Sequence, residues 1–133
     1  MVLWWENKPV PDFVRKACLS PAMARIRGVD MNCGMNCTQF PLFQNIGLYS
    51  RYEHSLGVCC IAWSLTGDPA AALAGLFHDI AAPAFSHVVD FAKGDYQRQE
   101  VTEERTAVII EKDPVIQEVL RELGLTTDRV AHD

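Results

Sequence analysis

Residues 51–79 read RYEHSLGVCCIAWSLTGDPAAALAGLFHD, and their periodicity predicts two helices joined by a tight turn. Tyr52, Leu56, Cys59 and Trp63 recur at helical spacing, and His54, Val58, Ile61 and Leu65 form a second stripe. A helix apolar on two faces is expected to be a buried central helix, with Trp63 and Leu65 in the core. Gly67-Asp68-Pro69 ends it and opens the next, because Asp68 can cap a helix and Pro69 suits a first turn. The alanine-rich run to Phe77 is strongly helix-forming. Pro83 disfavours helix at Ala82, so this second helix should stop near Asp79.

Outward from this pair the signals stay helical toward the C-terminus. A helix is expected from Pro83 to about Lys93, closed by Gly94, and another from about Gln99 to Lys112. Asp113-Pro114 repeats the cap-plus-proline start, and Gly124 ends that helix after Ile116, Val119, Leu120 and Leu123. The other direction is broken by Pro9, Pro11, Pro21 and Pro41, so short helices separated by loops are expected, with residues 31–37 as a loop. No alternating strand pattern competes, and there is no repeat or low-complexity linker. The expected class is all-α: one domain, with an irregular segment over 1–50 packing on a compact helical core over 51–133.

Bulk properties narrow the function. A chain of 133 residues with 49% hydrophobic and 22% charged residues can bury a core without staples. A formal net charge of −5 argues against a general nucleic-acid binder but leaves a phosphorylated substrate open, since a metal and an arginine set the local field. Five cysteines are an odd number, and neither a signal peptide nor a run of ~18 apolar residues is present. These features predict a reduced cytoplasmic protein with no membrane partner. Cys33 and Cys37 read as incidental thiols, Cys59 and Cys60 as small core residues, and Glu100, Glu103 and Glu104 as a solvated helix face. Trp4-Trp5 would cover the body of the domain or a partner surface.

Three of the four histidines fall in or near the helical pair: His54, His78 beside Asp79, and His87 three residues before Asp90. A lone histidine on an apolar helix is more often a hydrogen-bonded core residue, but several imidazoles and carboxylates set among apolar residues need a partner, and a divalent metal suits them. His54 lies twelve residues before the Thr66-Gly67-Asp68 connection and His78 ten after it, so antiparallel packing puts both at one height. Adjacent residues on a helix point ~100° apart, so His78 and Asp79 converge only where the helix ends. Arg51 precedes His54 by three residues and shares its face. Three N/O ligands with open positions fit a catalytic metal site.

These residues resemble the HD superfamily of metal-dependent phosphohydrolases, in particular the branch around the deoxynucleoside triphosphate triphosphohydrolases. The resemblance rests on Arg51-x-x-His54-Ser-Leu-Gly-Val, Leu76-Phe77-His78-Asp79-Ile80 and Pro83-x-Phe85-Ser86-His87-x-x-Asp90, and covers residues 50–95 well. It implies that His54, His78 and Asp79 ligate one divalent metal (Mn, Fe, Ni, Zn, Co or Mg), that Arg51 contacts substrate phosphate, and that His87 and Asp90 are catalytic groups beside the active site. The implied reaction is attack of a metal-activated water on a phosphate ester of a nucleotide or other small phosphorylated metabolite. Relatives often form oligomers, which extends the expectation to a homo-oligomer.

The sequence also departs from that pattern. Ala82 stands where relatives usually carry a histidine three residues after the His-Asp aspartate, and Val101-Thr102-Glu103-Glu104 lacks a second one. The family's fourth ligand is a later aspartate. Asp113 reads as a helix cap, Asp128 and Asp133 lie early, and the preferred expectation is a ligand past residue 133. The alternative function is therefore a catalytically weakened or inactive HD module that binds a nucleotide and regulates.

Overall fold

The computed structural model describes residues 10–32, 35–45, 47–83 and 100–131, with side chains described throughout except at Asn36 and residues 100–103. Within these residues the chain forms α1 (Asp12–Ala17), α2 (Pro21–Ile26), α3 (Arg51–Thr66), α4 (Pro69–Phe77), α5 (Glu100–Lys112), α6 (Pro114–Leu123) and α7 (Thr127–Ala131), with single 3-10 turns at Met35–Cys37 and Pro41–Phe43. The described residues hold no strand, only an isolated antiparallel bridge between Asp30 and Ser50, so the all-α expectation is correct. No described helix is long and apolar enough to cross a membrane. The helix expected from Pro83 to Lys93 falls almost entirely outside the described residues, as do Trp4-Trp5 and Cys33.

Helix boundaries follow local chemistry. Gly67 closes α3 in the left-handed conformation (φ 64°), and its N–H donates to the Trp63 carbonyl at 2.9 Å. Asp68 then accepts from the Ala70 N–H at 3.0 Å, and Pro69 occupies the first turn of α4. The Asp113 carboxylate caps α6 by accepting from the amides of Val115 (3.0 Å) and Ile116 (3.2 Å). It also accepts from the Ala22 N–H of α2 at 3.1 Å, which explains why a carboxylate is buried there. One group thus satisfies amides at two helix starts.

The core is built by both halves of the chain. Val14, Met23 and Ile26 from α1–α2 join Leu73, Leu76 and Phe77 of α4, Ile80 just after it, Ile110 of α5, and Ile116 and Leu120 of α6, all fully buried. Each such side chain contributes about 1.5–3 kcal/mol through burial. The stretch between α2 and α3 behaves differently, with Phe40, Leu42 and Leu48 exposed.

The expectation for α3 needs correcting. Its buried positions are Arg51, Ser55, Gly57 and Cys59, while Tyr52, Leu56 and Trp63 are partly buried against the core. Ile61 is 43% and Leu65 80% exposed, so α3 is not a central helix and Leu65 is not core. The described neighbours meet one side of it. α4 packs along it, and α1 and the end of α2 reach Trp63 and Tyr52, where the Phe13 ring stands edge-on to Trp63 at 5.4 Å. Apolar periodicity showed which residues could be covered, not how many elements would cover them.

α3 and α4 approach closely at Gly75. A Cβ there would lie 3.1 Å from Val58 Cγ1 and 3.4 Å from the Cys59 backbone nitrogen, so the glycine sets the spacing of the pair.

Candidate metal centre

The site lies where α3 begins and α4 ends. The start of α3 is fixed twice over. Ser50 and Glu53 form a capping box: the Ser50 hydroxyl accepts from the Glu53 N–H at 3.3 Å, and the Glu53 carboxylate accepts from the Ser50 N–H at 2.8 Å. The backbone on either side is pinned to the chain after α2, with the Arg51 N–H donating to Val29 O at 2.8 Å and the Met31 N–H to Tyr49 O at 2.9 Å. Ser50-x-x-Glu53 is a local sequence signature of this helix start.

At the other helix, α4 ends at Phe77 and the chain tightens into a turn. The Ile80 N–H donates to Phe77 O at 3.1 Å and the Ala82 N–H to Asp79 O at 3.0 Å. This is the change of backbone direction at the helix end that lets adjacent side chains converge. Asp79 Oδ2 accepts from Arg51 Nη1 at 2.7 Å, with the side chains only 6% (Arg51) and 17% (Asp79) exposed. A nearly buried guanidinium and a nearly buried carboxylate require each other.

The His78 ring is oriented by its own helix. Its Nδ1 lies 2.8 Å from the Gly75 carbonyl oxygen. A carbonyl only accepts, so Nδ1 carries the hydrogen and the neutral ring offers Nε2 as a bare lone pair. That lone pair stands 3.5 Å from Asp79 Oδ2. Two acceptors facing one another call for a cation between them, either a proton or a metal ion. His54 completes the group, its ring centroid 5.2 Å from that of His78 at 65°. Burial, and next the neighbouring His78, push the His54 pKa below its ordinary value; Asp79 pulls it up and Arg51 adds to the lowering. His54 is thereby kept neutral near pH 7, the form that ligates a metal.

The candidate ligand atoms of His54, His78 and Asp79 all lie within 4.8 Å of one another. Ligands ~2.1 Å from an ion stand about 3.4 Å apart at tetrahedral angles and about 4.2 Å apart when opposed. The observed upper limit of 4.8 Å lies close to those values, and the mixed N/O donor set suits a divalent ion. The three residues fit the group. The structure therefore brings together Arg51, His54, His78 and Asp79. His87 and Asp90 lie outside the described residues, as do His132 and Asp133. Asp113 is occupied by three amides and Asp128 is exposed, and neither is part of the cluster.

A further residue reaches this region from α2. Arg25 donates from Nη1 to the Ala82 carbonyl at 3.0 Å and from Nη2 to the Ile80 carbonyl. Nothing in the local sequence marks it, since a contact spanning more than fifty residues leaves no periodic trace.

With this geometry in place, comparison with known proteins defines the class. The HD domain family model matches residues 51–129, more than half of the chain, and the chain belongs to the HD domain family. Over 41 residues it is 51% identical to the uncharacterized protein YdhJ of Bacillus subtilis (strain 168). That match covers 31% of this chain and 13% of YdhJ.

Proposed function

We propose that this HD domain is a metal-dependent phosphohydrolase acting on a nucleotide or another small phosphorylated metabolite. The observation that carries the reading is the convergence of His54, His78 and Asp79, with His78 Nε2 3.5 Å from Asp79 Oδ2. In this reading those three side chains hold one divalent ion. When bound, the ion supplies Lewis acidity toward a phosphoryl oxygen and acidifies water near neutral pH.

The chain's own residues do the rest. Gly75 O keeps the His78 hydrogen on Nδ1, so Nε2 stays available as a donor atom. Arg51 holds Asp79 and brings positive charge to the point a phosphate would approach. His87 and Asp90 are assigned beside the reacting centre on the family resemblance alone. An overall net charge of −5 disfavours polyanionic nucleic acid and leaves a small phosphorylated substrate open.

A second reading has its own observation. Ala82, at the position where relatives usually carry a histidine, is buried, and its carbonyl is held by Arg25. Position 82 therefore offers no proton donor, which favours a module that binds a nucleotide without fast turnover. Elemental analysis followed by a phosphate-release screen with added Mn2+ separates the two. Stoichiometric metal with turnover on nucleotides, monoesters or cyclic diesters is the expected result; stoichiometric metal without turnover on any of them rejects the enzyme in favour of the binding module.

A further inference from the structure

The turn that carries His78 and Asp79 is poorly supported by its own backbone. α4 cannot continue beyond it, because Pro83 has no N–H to donate and restricts Ala82. The bonds inside it, Ile80 N–H to Phe77 O and Ala82 N–H to Asp79 O, are of the tight i to i+3 kind, whose geometry is weaker than that of an α-helix. The carbonyls of Ile80 and Ala82 both accept from one side chain, that of Arg25.

The chemistry of that contact is specific. A guanidinium is a planar fork of donors, able to hold two carbonyls at a set separation and direction. Its charge also complements the negative end of the α4 dipole. The base it acts from is fixed without it: Ala22, Met23 and Ile26 of α2 are buried, the Ser20 hydroxyl accepts from the Met23 N–H at 3.2 Å, and Asp113 accepts from the Ala22 N–H. Arg25 itself is on the exposed side of α2. It adds little to the core, and water can replace it at the two carbonyls. What water cannot reproduce is the fixed distance between α2 and the turn.

The other tethers act on the ligand side chains: Arg51, on the anchored start of α3, holds the Asp79 carboxylate, and Gly75 O holds the His78 ring. Among these three, Arg25 is the one that grips the backbone of the turn, and it does so from α2. We propose that Arg25 is a positioning residue: by clamping the carbonyls of Ile80 and Ala82 it aims His78 and Asp79 at the point shared with His54. This rests on the metal-site reading above. It assigns to Arg25 a control over metal affinity and not a role in the chemistry.

The test compares the full chain with Arg25→Ala, Arg25→Lys and a stability control, Val119→Ala, which truncates a buried α6 side chain. Mn2+ affinity is measured by calorimetric titration, Tm by thermal melting, and the His78 ring signals of the metal-free protein by NMR. Residues supporting metal ligands typically govern affinity by about 10-fold or more. The expected result is about 10-fold weaker Mn2+ binding in Arg25→Ala, partial recovery in Arg25→Lys, and shifted or broadened His78 signals. Val119→Ala should lose more Tm while keeping both Mn2+ affinity and His78 signals. Unchanged affinity in Arg25→Ala, or a loss matched by Val119→Ala, overturns the proposal. Should Arg25→Ala fail to fold, Arg25→Lys decides, since a lone ammonium cannot reproduce the fork and must still weaken binding. A wild-type chain that binds no Mn2+ defeats the metal reading instead, and the His78 signals of the metal-free variants then decide whether Arg25 holds the turn.

Discussion

At the connecting end of the α3–α4 pair, the described hydrogen bonds that set the helix ends are local. The Thr66 hydroxyl donates to Ala62 O at 2.8 Å and accepts from the Asp68 N–H at 3.1 Å; Gly67 donates to Trp63 O, and Asp68 caps α4. The described ion pair there, Arg129 to Asp68 at 3.9 Å, joins exposed side chains and contributes little. At the opposite end of the same two helices the important contacts span 22 to 57 residues: Arg51 N–H to Val29 O, Arg51 to Asp79, and Arg25 to the turn beyond it. The connecting end follows from a few neighbouring residues, whereas the site end is held by tertiary structure. The candidate metal centre lies at the end where contacts between distant parts of the chain add to the local caps and help set the geometry of the ligands.

That contrast can be broken most severely at Arg51. Arg51→Ala leaves the Asp79 carboxylate nearly buried without its counter-charge, a change expected to cost about 3–5 kcal/mol in denaturant unfolding without metal. Saturating Mn2+ should restore part of the loss, because a bound cation replaces the guanidinium and ligation stabilises the folded chain. A Mn2+-independent loss would mean that Asp79 does not face the metal.

Gly75→Ala comes next. The added Cβ meets Val58 Cγ1 at 3.1 Å, so the helices must shift, at a cost of about 1–3 kcal/mol. Because Gly75 O also orients His78, Mn2+ affinity should fall with stability in this variant. The matching change at the connecting end, Gly67→Ala, forces a Cβ into a left-handed residue and should cost about 1–2 kcal/mol. There, however, titration should show unchanged Mn2+ affinity. Equal effects of the two glycine variants on affinity would erase the distinction between the ends.

The smallest effect sharpens the picture of the pair's buried side. Burial pushes the Cys59 thiol well above its ordinary range and raises that of Cys18. Folded-state values raised above the unfolded ones contribute stability that is present below pH ~9 and declines as pH rises beyond it. Melting under reducing conditions should therefore show Tm falling from pH 9 upward. Mass spectrometry after brief iodoacetamide treatment at pH 8 should find Cys37, which is exposed, alkylated before Cys18 and Cys59.

The same contrast explains what could be read in advance. Asp68-Pro69, Asp113-Pro114, Gly67 and Gly124 mark helix ends through chemistry contained within a few residues, and the structure places α3, α4 and α6 between them. The meeting of His54 and His78 was also legible, because a short antiparallel connection fixes height by counting residues. The exposure of Leu65 was not, since an apolar stripe carries no information about which neighbours arrive. Nor was the second duty of Asp113 at Ala22, or that of Arg25 at Ile80 and Ala82: side chain to backbone bonds across the fold have no sequence period. Ser50-x-x-Glu53 is a different case, a local signal that was present and passed over.

The central claim is that His54, His78 and Asp79 form a single metal-binding unit. Its most direct test is calorimetric titration of Mn2+ into the metal-free chain and into His54→Ala, His78→Ala and Asp79→Ala, with folding of each checked by circular dichroism. The account predicts one ion per wild-type chain and loss of that binding in each of the three folded variants. Undiminished binding in any of them, or no binding by the wild type, would contradict it.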